Sequence, residues 1–236
     1  MNGEDELQAL KQRYARRTGP DRYSLLSPDV WQALQERQRQ EWQLWRRLGW
    51  HELGERRYCE VGCGAGGALL EALRAGFVPE HLTGLELLPE RHAAARRVLP
   101  ASLTLHLGDA CEAPIEPDSQ DVVAQHVVFS SLLDDGFQAR LAHAMWRWVK
   151  PGGGVLWYDF TVNNPRNRDV RGVPLERVRA LFPQGRVEHR RVTLAPPLAR
   201  AACRVHPSLY TALNACMPVL RTHLLCWIEK PEIPAN

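Results

Sequence analysis

From Tyr58 onward, short apolar runs alternate with amphipathic stretches. The apolar runs cover 58–61, 82–85, 103–107, 122–128 and 154–160. Between them, 68–75, 89–98 and 137–149 read as helices. Leu141, Ala144, Met145 and Trp148 give the last of these an i, i+3, i+4, i+7 face. Strands that alternate regularly with helices predict right-handed crossovers and a parallel sheet. Two more strands are predicted over 187–194 and 222–228, separated by Pro196-Pro197 and a helix around 208–216. So short a connection predicts antiparallel pairing at the end of the chain. The expected fold is α/β: a doubly wound, mostly parallel seven-stranded sheet with an antiparallel last strand.

Residues 1–50 precede this alternation and read as a helical arm, placed on the edge of the main domain or as a lid on its mouth; residues 51–236 form that domain. Ser27-Pro28-Asp29 reads as an N-cap with proline at the first helical position. Leu34, Trp42, Leu44, Trp45 and Leu48 are spaced for one apolar helix face. Arg13-Tyr14-Ala15-Arg16-Arg17 is a basic cluster that can close over a ligand carboxylate or simply face solvent. After Asp159 the chain turns polar from Thr161 to Gly172, directly behind a strand end, where ligands of such sheets bind.

The chemistry concentrates at Tyr58-Cys59-Glu60-Val61-Gly62-Cys63-Gly64-Ala65-Gly66-Gly67. A strand, a glycine-rich turn and a helix follow one another here. Such a turn brings backbone close to a ligand and aims free helix N–H groups at it. The spacing Gly62-x-Gly64-x-x-Gly67 also fits a dinucleotide fingerprint. Three carboxylates argue for another occupant. Glu60 ends the first strand, where it would repel a pyrophosphate and suit a cationic ligand. Glu86 ends the second strand and can accept both hydroxyls of a ribose, and Asp109 follows the third, where it can accept from an adenine amine.

With Lys150-Pro151-Gly152-Gly153-Gly154 before the fifth strand, this order resembles that of class I S-adenosylmethionine-dependent methyltransferases, of the type 11 kind. The resemblance covers 58–160 and extends to Ile228. It implies a Rossmann-like sheet and S-adenosylmethionine as cofactor. It further implies that Gly62, Cys63, Gly64 and Gly66 line the cofactor through backbone. Glu60 would meet the methionine amino end, Glu86 and Leu87 the ribose side, Asp109 and Ala110 the adenine edge, and Gln125 the methionine part.

Methyl transfer from a sulfonium needs positioning first, and a base only for a hydroxyl or protonated amine. His126 is the first candidate base and Asp159 the second, both at strand ends. Asn163, Asn164, Arg166 and Arg171 are candidate acceptor contacts, since amides donate and accept and arginine makes forked contacts. The 161–172 loop resembles that of methyltransferases of bacterial polysaccharide and glycan biosynthesis. The expected reaction is methylation of a polar small-molecule or glycan-like acceptor, at oxygen. A nicotinamide-dependent oxidoreductase and an RNA-modifying enzyme are the alternative readings.

Composition changes this little. Thirty basic residues stand against 27 acidic ones, too balanced to indicate a nucleic-acid partner. The basic residues are almost all arginine, as in a high-GC bacterial genome. No apolar run approaches the roughly 20 residues of a membrane span. The polar, acidic start is unlike a secretory signal, and six cysteines lack metal or disulfide spacing. These features predict a cytoplasmic protein with free thiols and no metal.

Overall fold

The computed structural model describes residues 3–16, 24–164 and 167–232. Seven strands form one sheet: β1 (Tyr58–Val61), β2 (Leu82–Glu86), β3 (Thr104–Leu107), β4 (Gln120–His126), β5 (Val149–Phe160), β6 (Arg186–Leu194) and β7 (Arg221–Glu229). Their spatial order is β3-β2-β1-β4-β5-β7-β6. All neighbours pair parallel except β7, which is antiparallel to both β5 and β6. The predicted α/β sheet with a reversed last strand is therefore the observed one.

Helices cover both faces. One face carries α2 (Pro28–Arg47), α3 (Gly67–Ala75) and α4 (Pro89–Val98), with Leu44, Trp45, Leu69, Ala72 and Ala95 in its core. The other carries α5 (Asp135–Trp148) and α6 (Leu175–Leu181), with Phe137, Leu141, Met145, Trp148, Val178 and Phe182. Central strands are buried on both sides, so β1 and most of β4 are buried throughout. β1 accordingly sends Cys59 and Val61 into one core and Tyr58 into the other.

The strand ends differ from the sequence expectation by a few residues. The strand predicted to reach Val128 stops at His126, because Val127 has φ +59, a conformation a β-branched residue seldom adopts. β5 begins at Val149 and takes in the Lys150–Gly154 turn that was expected to precede it. Asp134 caps α5 by accepting from the Phe137 N–H. Ser27 stands at the N-cap of α2 as expected, yet its side chain makes no capping bond. Ahead of the expected helix α8 (Ser208–Cys216), Pro196-Pro197 opens an additional helix, α7 (Pro196–Val205), since proline is well suited to a first helical turn.

The arm is two helices, α1 (Gly3–Ala15) and α2, and the inward face of α2 is not the apolar one expected. Leu44 and Trp45 are buried, but so are Gln32, Glu36, Arg37 and Glu41, while Trp42 is 41% exposed. Glu36 explains part of this. Its carboxylate accepts from the Thr193 N–H (3.1 Å) and the Tyr210 hydroxyl (2.7 Å), joining α2 to β6 and α8. Thr193 sits at φ +63, and this carboxylate holds it there.

Helix α1 docks by charge as well as by Leu10. Glu6 and Arg13 form a buried ion pair of 2.6 Å. Arg13 also donates to the Ser131 carbonyl (3.0 Å), and Glu6 accepts from the Leu133 N–H (2.8 Å). The helix is thus clipped to the segment behind β4. Replacing Arg13 by alanine leaves Glu6 buried without its partner, which costs about 3 kcal/mol. We expect R13A to speed amide exchange over α1 selectively; unchanged exchange there would show that the ion pair does not hold the helix.

Candidate active site

The turn between β1 and α3 is built from left-handed glycines. Gly62, Gly64 and Gly66 have φ of +67°, +58° and +89°, which non-glycine residues adopt only with strain. A side chain at Gly62 would also put its Cβ 2.6 Å from Val128 Cγ2. Cys63 N–H donates to the Leu85 carbonyl (3.0 Å) and Gly66 N–H to the Cys63 carbonyl (2.9 Å), which fixes the turn against β2. The Cys63 thiol is buried in the core behind the turn, so this residue can meet a ligand only through its backbone.

Glu86 ties the turn to the end of β2. It accepts from the Gly64 N–H and the Leu88 N–H, both at 2.8 Å. Leu87 is half-buried beside it. Asp109 caps the short helical turn 110–112 by accepting from the Cys111 N–H (2.9 Å), with Ala110 half-buried next to it. The carboxyl ends of β1, β2 and β3 thus carry one acid each, at or just beyond the strand end, as the sequence order implied.

Glu60 is the first link of a buried chain of charges. Its Oε1 lies 3.0 Å from His126 Nδ1, and His126 Nε2 lies 3.2 Å from Glu41 Oε1. Arg37 donates to Glu41 (3.1 Å) and to Glu71 (2.7 Å). The chain links β1, β4, α2 and α3 in the interior. Burial and the neighbouring Arg37 oppose a charge on His126, but its bonds to Glu41 and Glu60 outweigh them and raise its pKa. Burial opposes the charge on Glu41 too, and Arg37 with His126 still pulls its pKa down. The other oxygen of Glu60, Oε2, is buried and has no partner. An orphaned carboxylate oxygen beside a glycine cradle fits a ligand with a cationic group.

The proposed bases and the other predicted contacts do different things here. His126 has a carboxylate on each ring nitrogen, so no free lone pair faces an acceptor. Asp159 is fully buried and accepts from the Ser130 and Phe160 N–H groups (3.0 and 2.9 Å). Burial pushes its pKa up to about 7 against those hydrogen bonds. Gln125 is also fully buried; its amide donates to the Tyr158 carbonyl (3.3 Å) and accepts from the Val128 N–H (2.9 Å). That amide shapes the exit from β4, and none of its bonds points to a ligand.

The loop behind β5 is largely self-bonded. Asn163 closes it by accepting from the Gly172 N–H (2.8 Å), and Asn164 is exposed nearby. Arg171 pairs with Asp135 at the start of α5. Arg166 lies outside the described residues. The arm reaches the same rim: Arg16 contacts Asp169 (3.4 Å), and Tyr14 lies under Arg91, whose Nη1 is 3.8 Å from where a Gly64 Cβ would stand. Helix α1 therefore spans the mouth between the glycine turn and this loop.

Sequence reasoning missed Arg37, Glu41, Tyr158 and His223. Tyr158 stacks on His223 (5.0 Å), which burial keeps neutral by lowering its pKa to about 4. The signal available for Glu41 and Arg37 was their i, i+4 spacing, which exposed helices also show. Among the described residues, no group of three or more His, Cys, Asp or Glu side chains is placed to hold a metal, and no helix is long and apolar enough to cross a membrane.

Residues 59–153 match the model of a methyltransferase domain. The chain is similar in fold to a sarcosine dimethylglycine methyltransferase, so named provisionally, from Galdieria sulphuraria: TM-score 0.63, 14% identity, covering 97% of this chain and 100% of that one. It is also similar to an S-adenosylmethionine-dependent methyltransferase from Mesorhizobium loti (0.57, 19%, 80% and 96%). A third is phosphoethanolamine N-methyltransferase 2 of Haemonchus contortus, solved with S-adenosylmethionine (0.58, 20%, 82% and 53%). No curated protein matches the chain in sequence. The chain thus carries an enzyme's domain, a methyltransferase domain, on the fold of S-adenosylmethionine-dependent methyltransferases. S-adenosylmethionine is the cofactor of that domain.

The raised pKa of His126 gives a signed expectation. A group raised on folding stabilises fully below its unfolded value, about 6.5, and loses that contribution as pH climbs through its folded value. His126→Gln should cost about 3 kcal/mol at pH 6, since it leaves buried carboxylates without their cation. The gap to the unsubstituted protein should narrow by pH 9. Urea unfolding at both pH values measures it; a constant or widening gap would rule out an imidazolium between Glu60 and Glu41.

Proposed function

We propose that this chain transfers a methyl group from S-adenosylmethionine to a polar small-molecule or glycan-like acceptor, at oxygen. The carrying observation is the unpartnered Glu60 Oε2 beside the left-handed glycine turn. A phosphate-bearing dinucleotide would be repelled there, whereas an α-ammonium group would be held.

When bound, the cofactor would supply an electrophilic methyl on a sulfonium, passed in line to the acceptor oxygen as the carbon–sulfur bond breaks and the neutral thioether leaves. The residues here hold and orient. Gly62, Gly64 and Gly66 leave room against backbone. Glu60 takes the ammonium, and His126, fixed by Glu41, keeps its carboxylate from turning. Glu86, at the end of β2, would hold the ribose hydroxyls. Asp109 and Ala110 edge the adenine, and helix α1 closes the mouth against water.

Acceptor chemistry at oxygen is supported by Asp159, whose pKa near 7 matches a proton acceptor working around neutrality. Its carboxyl becomes reachable only when the 129–131 segment behind β4 shifts. His126, bonded to Glu60 and to Glu41, has the role of positioning Glu60. Around the rim, the exposed Asn164 and Arg168 supply polar side chains to an acceptor.

Calorimetric titration tests the cofactor half. The protein should bind S-adenosylhomocysteine, with Glu86→Ala and Glu60→Gln each at least about tenfold weaker, the scale of one lost charge-assisted hydrogen bond. Gly62→Ala should abolish binding. Absence of binding at millimolar ligand, or full affinity in E86A, would sink the reading. For the acceptor, incubation with a deuterated-methyl cofactor and a panel of glycans and small alcohols, followed by NMR of the product, should place the methyl on oxygen; a label on nitrogen or carbon would refute that half.

A further inference from the structure

A groove of about 580 Å³ lies outside this site, between α2, β6, β7 and α8. Its lining includes Arg39, Arg190, Arg191 and Arg221, with Thr211 and Asn214. The guanidinium groups of Arg39, Arg190 and Arg191 make no ion pair or hydrogen bond among the described residues. Arg221 is spent on structure, donating to the Asn214 carbonyl (3.0 Å) and the Arg191 carbonyl (3.1 Å). The single acid of the lining, Glu36, is committed to Tyr210 and Thr193 and leaves the three cations uncompensated.

A second observation is independent of charge. Asn214 is only 9% exposed, and its Oδ1 is buried without a partner. An orphan acceptor in a cationic groove calls for a ligand that brings both an anion and a donor. A second cavity, about 230 Å³ between Asp135, Arg171 and Arg177, makes the contrast. There both arginines are already paired with Asp135. The larger groove opens toward the carboxyl end of the sheet, since Arg221 pairs in register with Leu194, the last residue of β6.

We propose that this groove is an anion-binding site. It takes the phosphate or carboxylate of a small polar ligand on Arg190, Arg191 and Arg39, and a hydroxyl or amine of that ligand on Asn214. The site stands apart from cofactor binding: Tyr158, Thr193 and Glu36 wall it off from His126, and α2 borders both.

Titration with inorganic phosphate and with glycerol 3-phosphate tests it and separates a free anion from an anionic polyol. Glycerol 3-phosphate should bind below about 1 mM and several-fold tighter than phosphate. R190E/R191E should weaken both by at least about tenfold. Those two side chains are exposed and unpartnered, so the variant should keep its unfolding transition. Asn214→Leu should erase the preference for glycerol 3-phosphate and leave phosphate affinity within about twofold. No binding of either probe at 10 mM (roughly 3 kcal/mol of affinity), or unchanged binding by the arginine variant, would overturn the anion site. Equal affinity for the two probes would overturn the role of Asn214. An RNA oligonucleotide that binds at physiological salt while both small anions fail would assign the groove to nucleic acid and end the proposal.

Discussion

One buried chain of charges organises this molecule: Glu60, His126, Glu41, Arg37 and Glu71. Each member would be costly inside the protein alone, and each is made tolerable by the next. The chain crosses from the centre of the sheet to α2 and α3, so the helix that precedes the domain cannot leave without stranding carboxylates in the interior. Because His126 consumes one oxygen of Glu60, the orphan that remains has a fixed direction. The proposed cofactor site is therefore prepared by an element outside the matched domain segment, which begins only at Cys59.

The same device recurs on the other parts of the arm. Glu6 and Arg13 clip α1 to the segment behind β4, and Glu36 of α2 holds Thr193 in a left-handed conformation. In each case a buried carboxylate accepts backbone N–H groups that no strand or helix partner satisfies. Apolar contact alone fixes how closely an element packs, but it leaves sliding and rotation soft. A directional bond to a named N–H removes that freedom. The rim of the site is held to α1 and α2 in this way, and a cofactor or acceptor meets a surface whose parts are in register.

Two chemistries are kept apart by one helix. The inner side of α2 turns Arg37 and Glu41 toward His126 and the proposed cofactor corner, while Glu36, Arg39 and Gln40 face the arginine groove. Tyr158, Thr193 and Tyr210 stand between. Charges that are paired serve structure, and those that are unpaired are free for a ligand. That distinction separates Arg37, locked between two carboxylates, from Arg190 and Arg191, which have none.

Much of the fold was legible in the sequence, because period and punctuation are local properties. Apolar runs of strand length, helices between them and the Gly62–Gly67 turn follow from sterics and from burial on one or both faces. The acids at Glu60, Glu86 and Asp109 could be placed at strand ends for the same reason. Which atoms remained free could not. Gln125 and Asn163 looked like ligand contacts, but their amides are used on backbone groups that only folding brings near. His126 looked like a base and is held by Glu41, 85 residues earlier in the chain. The inner face of α2 misled for a related reason: charged residues read as solvent-facing until their partners are known. Sequence fixes the inventory of groups and the period at which they recur; burial and partnership arise from contacts distant in the chain, and they decide what each group can still do.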